Sequence, residues 1–271
     1  MTDKPMAIEI TARLMVGNRE VGPNGEMPSR DGLPLTLLGV TGAICPYCAA
    51  PFSKMPQRKT KCPSCKQFVY SRTRPIDDQK VLLRESDLDL LDEEWSLVYG
   101  THAEFLVHRA RRESVRERLN ANLGHEPTNE AVQLYLLHED AVEHARQKNW
   151  GLYCNDLLAI GEILRKQSLL LEALRKYLEV CYIDLSGPQN NGGMQGFSSS
   201  PDSYPNFDKS YAMLAPGVVN RCYNAAFDLK LNKKQLKELF LEVAAGVDKD
   251  IRLPVTAAAA WKQLNQQLDL A

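Results

Sequence analysis

Near the start of the chain, apolar and polar positions alternate with a period of two. Ile8, Ile10, Ala12, Leu14 and Val16 are interleaved with Glu9, Thr11, Arg13 and Met15, the pattern of a half-buried strand. Gly17-Asn18 and Gly22-Pro23-Asn24-Gly25 read as turns, and an apolar stretch from Leu33 to Val40 follows. Residues 1–43 are therefore expected to form a β-rich arm, too short for a core of its own, that packs on the next segment or on a partner chain. Beyond Pro75 the apolar spacing changes to three and four. Leu88, Leu91, Trp95, Val98, His102 and Phe105 predict one face of a single long helix ending near Gly124, with Ser86 and Asp89 at capping-box spacing before it. Thr128 is placed to cap a helix running to about Lys148, where Asn149-Trp150-Gly151 breaks it. Further helices are predicted near 152–166, 170–184, 216–229 (Pro216 in the first turn), 233–246 (after Asn232) and 257–268 (after Thr256). Residues 186–210, rich in Ser, Gly, Asn and Pro, read as a flexible loop. The fold class is α+β: the β-rich arm, a small β module at 44–76, and a larger all-α domain at 77–271.

Composition narrows this only a little. The chain has 271 residues, 44% hydrophobic and 25% charged, with a formal net charge of −1, so its overall charge announces neither a nucleic-acid nor a membrane partner. No apolar run approaches the ~18 residues of a membrane span, and the first residues lack a basic segment followed by an apolar one. A cytoplasmic location is the expectation, where thiols stay reduced and closely spaced cysteines serve as metal ligands more often than as disulfides.

Of seven cysteines, four form two C-x-x-C pairs: Cys45-Pro46-Tyr47-Cys48 and Cys62-Pro63-Ser64-Cys65. A C-x-x-C turn directs two thiolates at one metal, and a hairpin between the pairs brings the second turn alongside the first. In this stretch, about residues 42–75, the chain resembles the zinc-ribbon superfamily in its two-knuckle form. The resemblance implies one structural Zn²⁺ held by Cys45, Cys48, Cys62 and Cys65; the competing reading is a redox or disulfide pair. The chain departs from the family at the position after each second cysteine. Glycine is common there because the backbone favours positive φ, but Ala49 and Lys66 stand here, which predicts modest strain and not loss of the site.

Charge is concentrated on the same module. Between Ile44 and Ile76 lie Lys54, Arg58, Lys59, Lys61, Lys66, Arg72 and Arg74 with no acidic residue, a formal +7 in a chain of −1. An acidic stretch follows at once: Asp77, Asp78, Glu85, Asp87, Asp89, Asp92, Glu93 and Glu94. Strand alternation places Phe68, Tyr70, Arg72 and Arg74 on one face, where rings can stack bases and guanidinium groups can neutralise phosphates. Two readings stand. Lys54, Arg58, Lys59, Lys61, Phe68, Tyr70, Arg72 and Arg74 bind nucleic acid, or the basic residues meet an acidic surface, this chain's own acidic run included, while Phe52 and Phe68 form a small core.

Ile160-Gly161, Leu164, Ala173, Tyr177 and Val180 resemble the packing positions of a tetratricopeptide repeat over 154–187, which implies a surface that holds another protein. Ser168 stands where that repeat has Gly and Leu185 near its closing Pro, so an antiparallel helix pair within a bundle is the plainer description. Catalytic motifs are not found: no phosphate loop, no dinucleotide glycine pattern, no nucleophile elbow, and His138 and His144 fall on different faces of their helix. The sequence points to a non-enzymatic adaptor, with a purely protein-binding module as the alternative and an enzyme whose site carries no recognisable motif as a third reading.

Overall fold

The computed structural model describes residues 30–189 and 207–268, together with the backbone of a short hairpin formed by β1 (Met15–Val16) and β2 (Arg19–Glu20). The strand expected over residues 8–14 and most of the 186–210 loop lie outside the described residues. The hairpin pairs Met15 with Glu20 and Val16 with Arg19, which brackets the turn predicted at Gly17-Asn18. Among the described residues, eight helices accompany one three-stranded antiparallel sheet and this hairpin, and no helix is long and apolar enough to cross a membrane. The chain divides into two compact units, residues 1–111 and 112–271.

In the first unit the sheet runs in the order β3 (Thr60–Lys61), β4 (Phe68–Thr73), β5 (Lys80–Leu83). The third strand lies past residue 76, in what the sequence assigned to the helical domain. The run Val81-Leu82-Leu83 is fully buried, pairing Tyr70 with Leu83 through Thr73 with Lys80. The turn between β4 and β5 is tied by the Arg74 backbone N–H to the Gln79 carbonyl (2.9 Å). The arm packs on this sheet: Val40 exchanges both backbone hydrogen bonds with Leu82, and Leu38 packs against Tyr70, Val81, Leu83 and Leu91. The approach requires Gly39, because a Cβ there would lie 2.7 Å from Leu83 Cδ2, at a backbone φ of +73° that disfavours any other residue. Buried Glu94 holds the arm further, accepting from the Thr36 backbone N–H (2.8 Å) and hydroxyl (2.5 Å).

The long helix predicted after Pro75 is two helices, α1 (Leu88–Val98) and α2 (His102–Leu123). The apolar spacing runs through the break, so periodicity alone does not reveal it. Gly100 turns the chain at φ +69°, and the Thr101 N–H closes the elbow on the Ser96 carbonyl (2.8 Å). The start of α1 also differs. Ser86 sits inside a 3₁₀ turn, Glu85–Asp87, and it is the Asp87 carboxylate that reaches back to the Arg84 N–H (2.9 Å). His102 is satisfied by the Ser96 hydroxyl (3.1 Å).

The second unit holds α3 (Asn129–Arg146), α4 (Trp150–Lys166), α5 (Leu170–Asp184), α6 (Pro216–Asp228), α7 (Lys233–Asp250) and α8 (Ala257–Gln267). Thr128, Asn232 and Thr256 cap α3, α7 and α8 as their positions predict, each side chain accepting from a first-turn N–H, and Pro216 opens α6. Helix α7 runs four residues past its expected end at 246. Gly246 costs about 1 kcal/mol against Ala in a helix interior, but burial of Val247 carries the helix through it. Helix α4 starts at Trp150, which is buried in the core, so the break after α3 falls at Lys148.

Candidate metal centre

Each cysteine pair sits on a tight turn of the same construction. In the first, the Cys45 N–H donates to the Ala50 carbonyl (2.9 Å) and the Ala49 N–H to the Cys45 carbonyl (2.9 Å). In the second, the Cys62 N–H donates to Gln67 (2.8 Å) and the Lys66 N–H to Cys62 (3.0 Å). Ala49 and Lys66 adopt φ of 59° and 64°, the left-handed conformation the knuckle pattern calls for, at a cost of about 1–2 kcal/mol each for a residue with a Cβ. The Lys66 ammonium folds back to the Pro63 carbonyl (2.6 Å) across its own turn.

The four sulfur atoms lie within 4.8 Å of one another, with Cys45–Cys65 at 3.7 Å and Cys48–Cys62 at 3.9 Å. A tetrahedron of thiolates at ~2.3 Å from a central metal has edges of about 3.8 Å, so the four residues fit one metal ion. Cys45 and Cys62 are buried with Val69 against Phe52, while Cys48 faces solvent. The backbone favours thiolates at two positions. The Ala50 N–H draws Cys48 down to about 7. Burial pushes Cys62 up, but the N–H groups of Cys65 and Ser64 and the neighbouring sulfurs outweigh it, and the net shift is downward. At Cys65 the Gln67 N–H pulls the thiol down, while burial and the three other sulfurs drive it up to about 12. The physical content is that four adjoining thiols cannot all ionise unless a cation joins them. A cluster with four protein ligands leaves no open coordination position.

The first knuckle is anchored beyond the module. The Arg84 guanidinium donates to the Pro46 carbonyl (2.9 Å) and lies 5.9 Å from the Tyr47 ring, whose hydroxyl accepts from the Glu85 N–H (3.0 Å). The sequence reading did not single out Arg84.

The residues proposed for polyanion binding do not share one environment. Phe68 is 45% exposed, with the Lys59 ammonium 4.6 Å and the Lys61 ammonium 5.8 Å from its ring centroid. Tyr70, on the same side of β4 with Lys59 4.9 Å from its ring, is only 6% exposed and belongs to the core with Val81, Leu83 and Leu91. Arg72 is exposed, whereas Arg74 is 5% exposed and clamped on Asp77 through two bonds of 2.8 and 2.5 Å, with a third to the Leu38 carbonyl. Asp77 is held below the usual carboxylate range, chiefly by that guanidinium. Lys54, Arg58, Lys59, Lys61 and Lys66 are exposed, and Lys54, Arg58, Lys61, Lys66 and Arg72 have no carboxylate partner among the described residues.

In the second unit the contact between α4 and α5 is close at Gly161, where a Cβ would meet the Tyr177 ring at 2.5 Å. The Tyr177 hydroxyl donates to Glu162 (3.0 Å), which also accepts from Arg221 of α6 (2.7 Å). Cys154, Cys181 and Cys222 are buried; burial drives Cys154 well above its ordinary value, and Cys222 beside Cys181 (3.7 Å) does the same to Cys181. No family model, curated protein or solved structure matches the chain.

Proposed function

We propose that the four-cysteine cluster holds one structural zinc ion and that the protein is a non-enzymatic adaptor. In this reading residues 42–75 form a zinc ribbon that docks through its basic side on nucleic acid or an acidic surface, and the helical unit holds a protein. Zinc suits a closed set of four thiolates, and it would supply cross-linking of a module whose own apolar core is little more than Val69 and Phe52. The observation that carries the docking reading is the set Lys54, Arg58, Lys61, Lys66 and Arg72, exposed and without carboxylate partners among the described residues, around a half-exposed Phe68. The withdrawal of Tyr70 and Arg74 into the unit favours the second reading, a module that binds only proteins.

The test is polarisation of labelled single- and double-stranded oligonucleotides at several salt concentrations. Wild type is compared with Arg58→Glu/Lys61→Glu, Arg72→Glu and Phe68→Ala. Binding that falls steeply with salt and falls again in these variants supports docking of nucleic acid on this side. Absence of binding at low salt, or binding indifferent to charge reversal, refutes it and leaves the protein-binding reading.

A further inference from the structure

The elbow between α1 and α2 collects aromatic and acidic residues that the metal centre and the basic module do not use. Trp95 on α1 and Tyr99, the residue that caps its C-terminal end, lie four apart, and Phe105 and His108 lie three apart on α2, so each pair shares one face. The turn at Gly100 brings the two faces to a common cleft of ≈340 Å³, at the small end of the range for ligand sites. Asp92 and Glu104 line it as well. The Trp95 and Tyr99 rings stack at 5.2 Å with 15° between their planes, and Trp95 is fixed by its indole N–H donating to the Thr73 carbonyl (3.1 Å). The cleft wall is thus preorganised.

Aromatic faces carry negative potential, and carboxylates beside them add to it. This corner of the unit already holds one cation in that manner. The Arg109 guanidinium lies 5.4 Å from the Phe105 ring centroid and donates to Glu93 at 2.7 Å. Arg109 does not line the cleft, where Glu104 has no cationic partner among the described residues. The geometry points to this cleft as a binding site for an organic cation, an alkylated ammonium or a guanidinium head group. Trp95 and Tyr99 supply the aromatic wall and Glu104 the counter-charge. The head group belongs either to a side chain of a partner peptide or to a small free cation.

Saturation-transfer NMR on the full chain tests it, with tetramethylammonium chloride as probe, tert-butyl alcohol as its uncharged counterpart of equal size and sodium chloride holding ionic strength constant. Tetramethylammonium is expected to saturate a site that the alcohol does not occupy. Glu104→Gln, on an exposed helix position, is expected to weaken binding roughly threefold, and Tyr99→Ala roughly fivefold. Circular dichroism checks that both variants fold. Peptides carrying lysine, trimethyl-lysine or arginine distinguish the sources: affinity about tenfold or more above the free cation assigns the head group to a partner, and equal affinity to a small molecule. No saturable transfer, equal occupancy by the alcohol, or indifference to both folded variants overturns the proposal.

Discussion

Gly161→Ala is the sharpest test of the helical unit's packing. The new methyl would sit 2.5 Å from Tyr177 Cε1 and 3.0 Å from Cδ1, and Tyr177 has no free volume to retreat into, being fully buried in the α4–α5 core. Overpacking of this kind costs about 1–3 kcal/mol. Displacing the ring also strains its hydroxyl bond to Glu162, worth about 1 kcal/mol. Against this, replacing a mid-helix glycine with alanine returns about 1 kcal/mol. The balance is a loss of about 2 kcal/mol, or roughly 4–8 °C in Tm for a unit of this size. Thermal and urea unfolding followed by helical circular dichroism read it. Tyr177→Leu supplies the control: with the ring gone, the same Gly161→Ala change is expected to stabilise by about 1 kcal/mol, through helix propensity alone. If Gly161→Ala in the otherwise unaltered chain is as stable as the parent, the close approach of α4 and α5 is not present in solution and the reasoning fails.

Three other outcomes are expected. Burial lifts the Asp184 carboxyl to about 7, and its side chain has no partner among the described residues. A folded-state value above the unfolded ~3.9 means that its contribution is fully present below about pH 4, declines as the pH rises and is gone above about 7. Asp184→Asn should therefore match the parent near pH 4 and exceed it by about 2–4 kcal/mol at pH 8 in urea titrations; equal stability at both pH values would contradict the burial argument. Ser168 (φ 64°) and Lys148 (φ 58°) hold left-handed positions in two helix-to-helix turns, so Ser168→Gly and Lys148→Gly should each raise stability by about 0.5–1 kcal/mol in the same assay. Metal analysis of protein prepared without chelators should return one metal equivalent, and Cys62→Ser should loosen residues 42–75 by hydrogen exchange while α3–α8 keep their protection. A stoichiometry near zero, or unchanged exchange, would remove the zinc assignment.

Part of this was legible along the chain because it is local. A C-x-x-C turn directs its sulfurs through a handful of backbone torsions, so the spacing of Cys45, Cys48, Cys62 and Cys65 placed them in one cluster before any packing was known. Ala49 and Lys66 were marked for positive φ for the same reason. Thr128, Asn232 and Thr256 cap N–H groups within three residues of themselves. The antiparallel pair of α4 and α5 was also expected, with Gly161 and Tyr177 among its packing positions, but that these two residues meet is known only from the structure.

What escaped the sequence depends on partners distant in the chain. Alternation put Phe68, Tyr70, Arg72 and Arg74 on one side of a strand, but which of them meets solvent was decided by β5, the arm and α1. Leu83 and Leu91 cover Tyr70, while Asp77 and the Leu38 carbonyl hold Arg74. The strand at Lys80–Leu83 was hidden because its apolar run is too short to distinguish strand from helix, and only pairing with β4 and Val40 makes it one. The break at Gly100 was concealed by a periodicity that continues across it. Local geometry is set by a few neighbouring torsions and survives in any fold, whereas exposure and pairing are set by whatever packs across the element. For that reason the chain by itself determined the four-cysteine cluster and the caps of α3, α7 and α8, and the tertiary structure alone decided which basic and aromatic side chains reach the surface and that an aromatic, acidic cleft forms at the elbow.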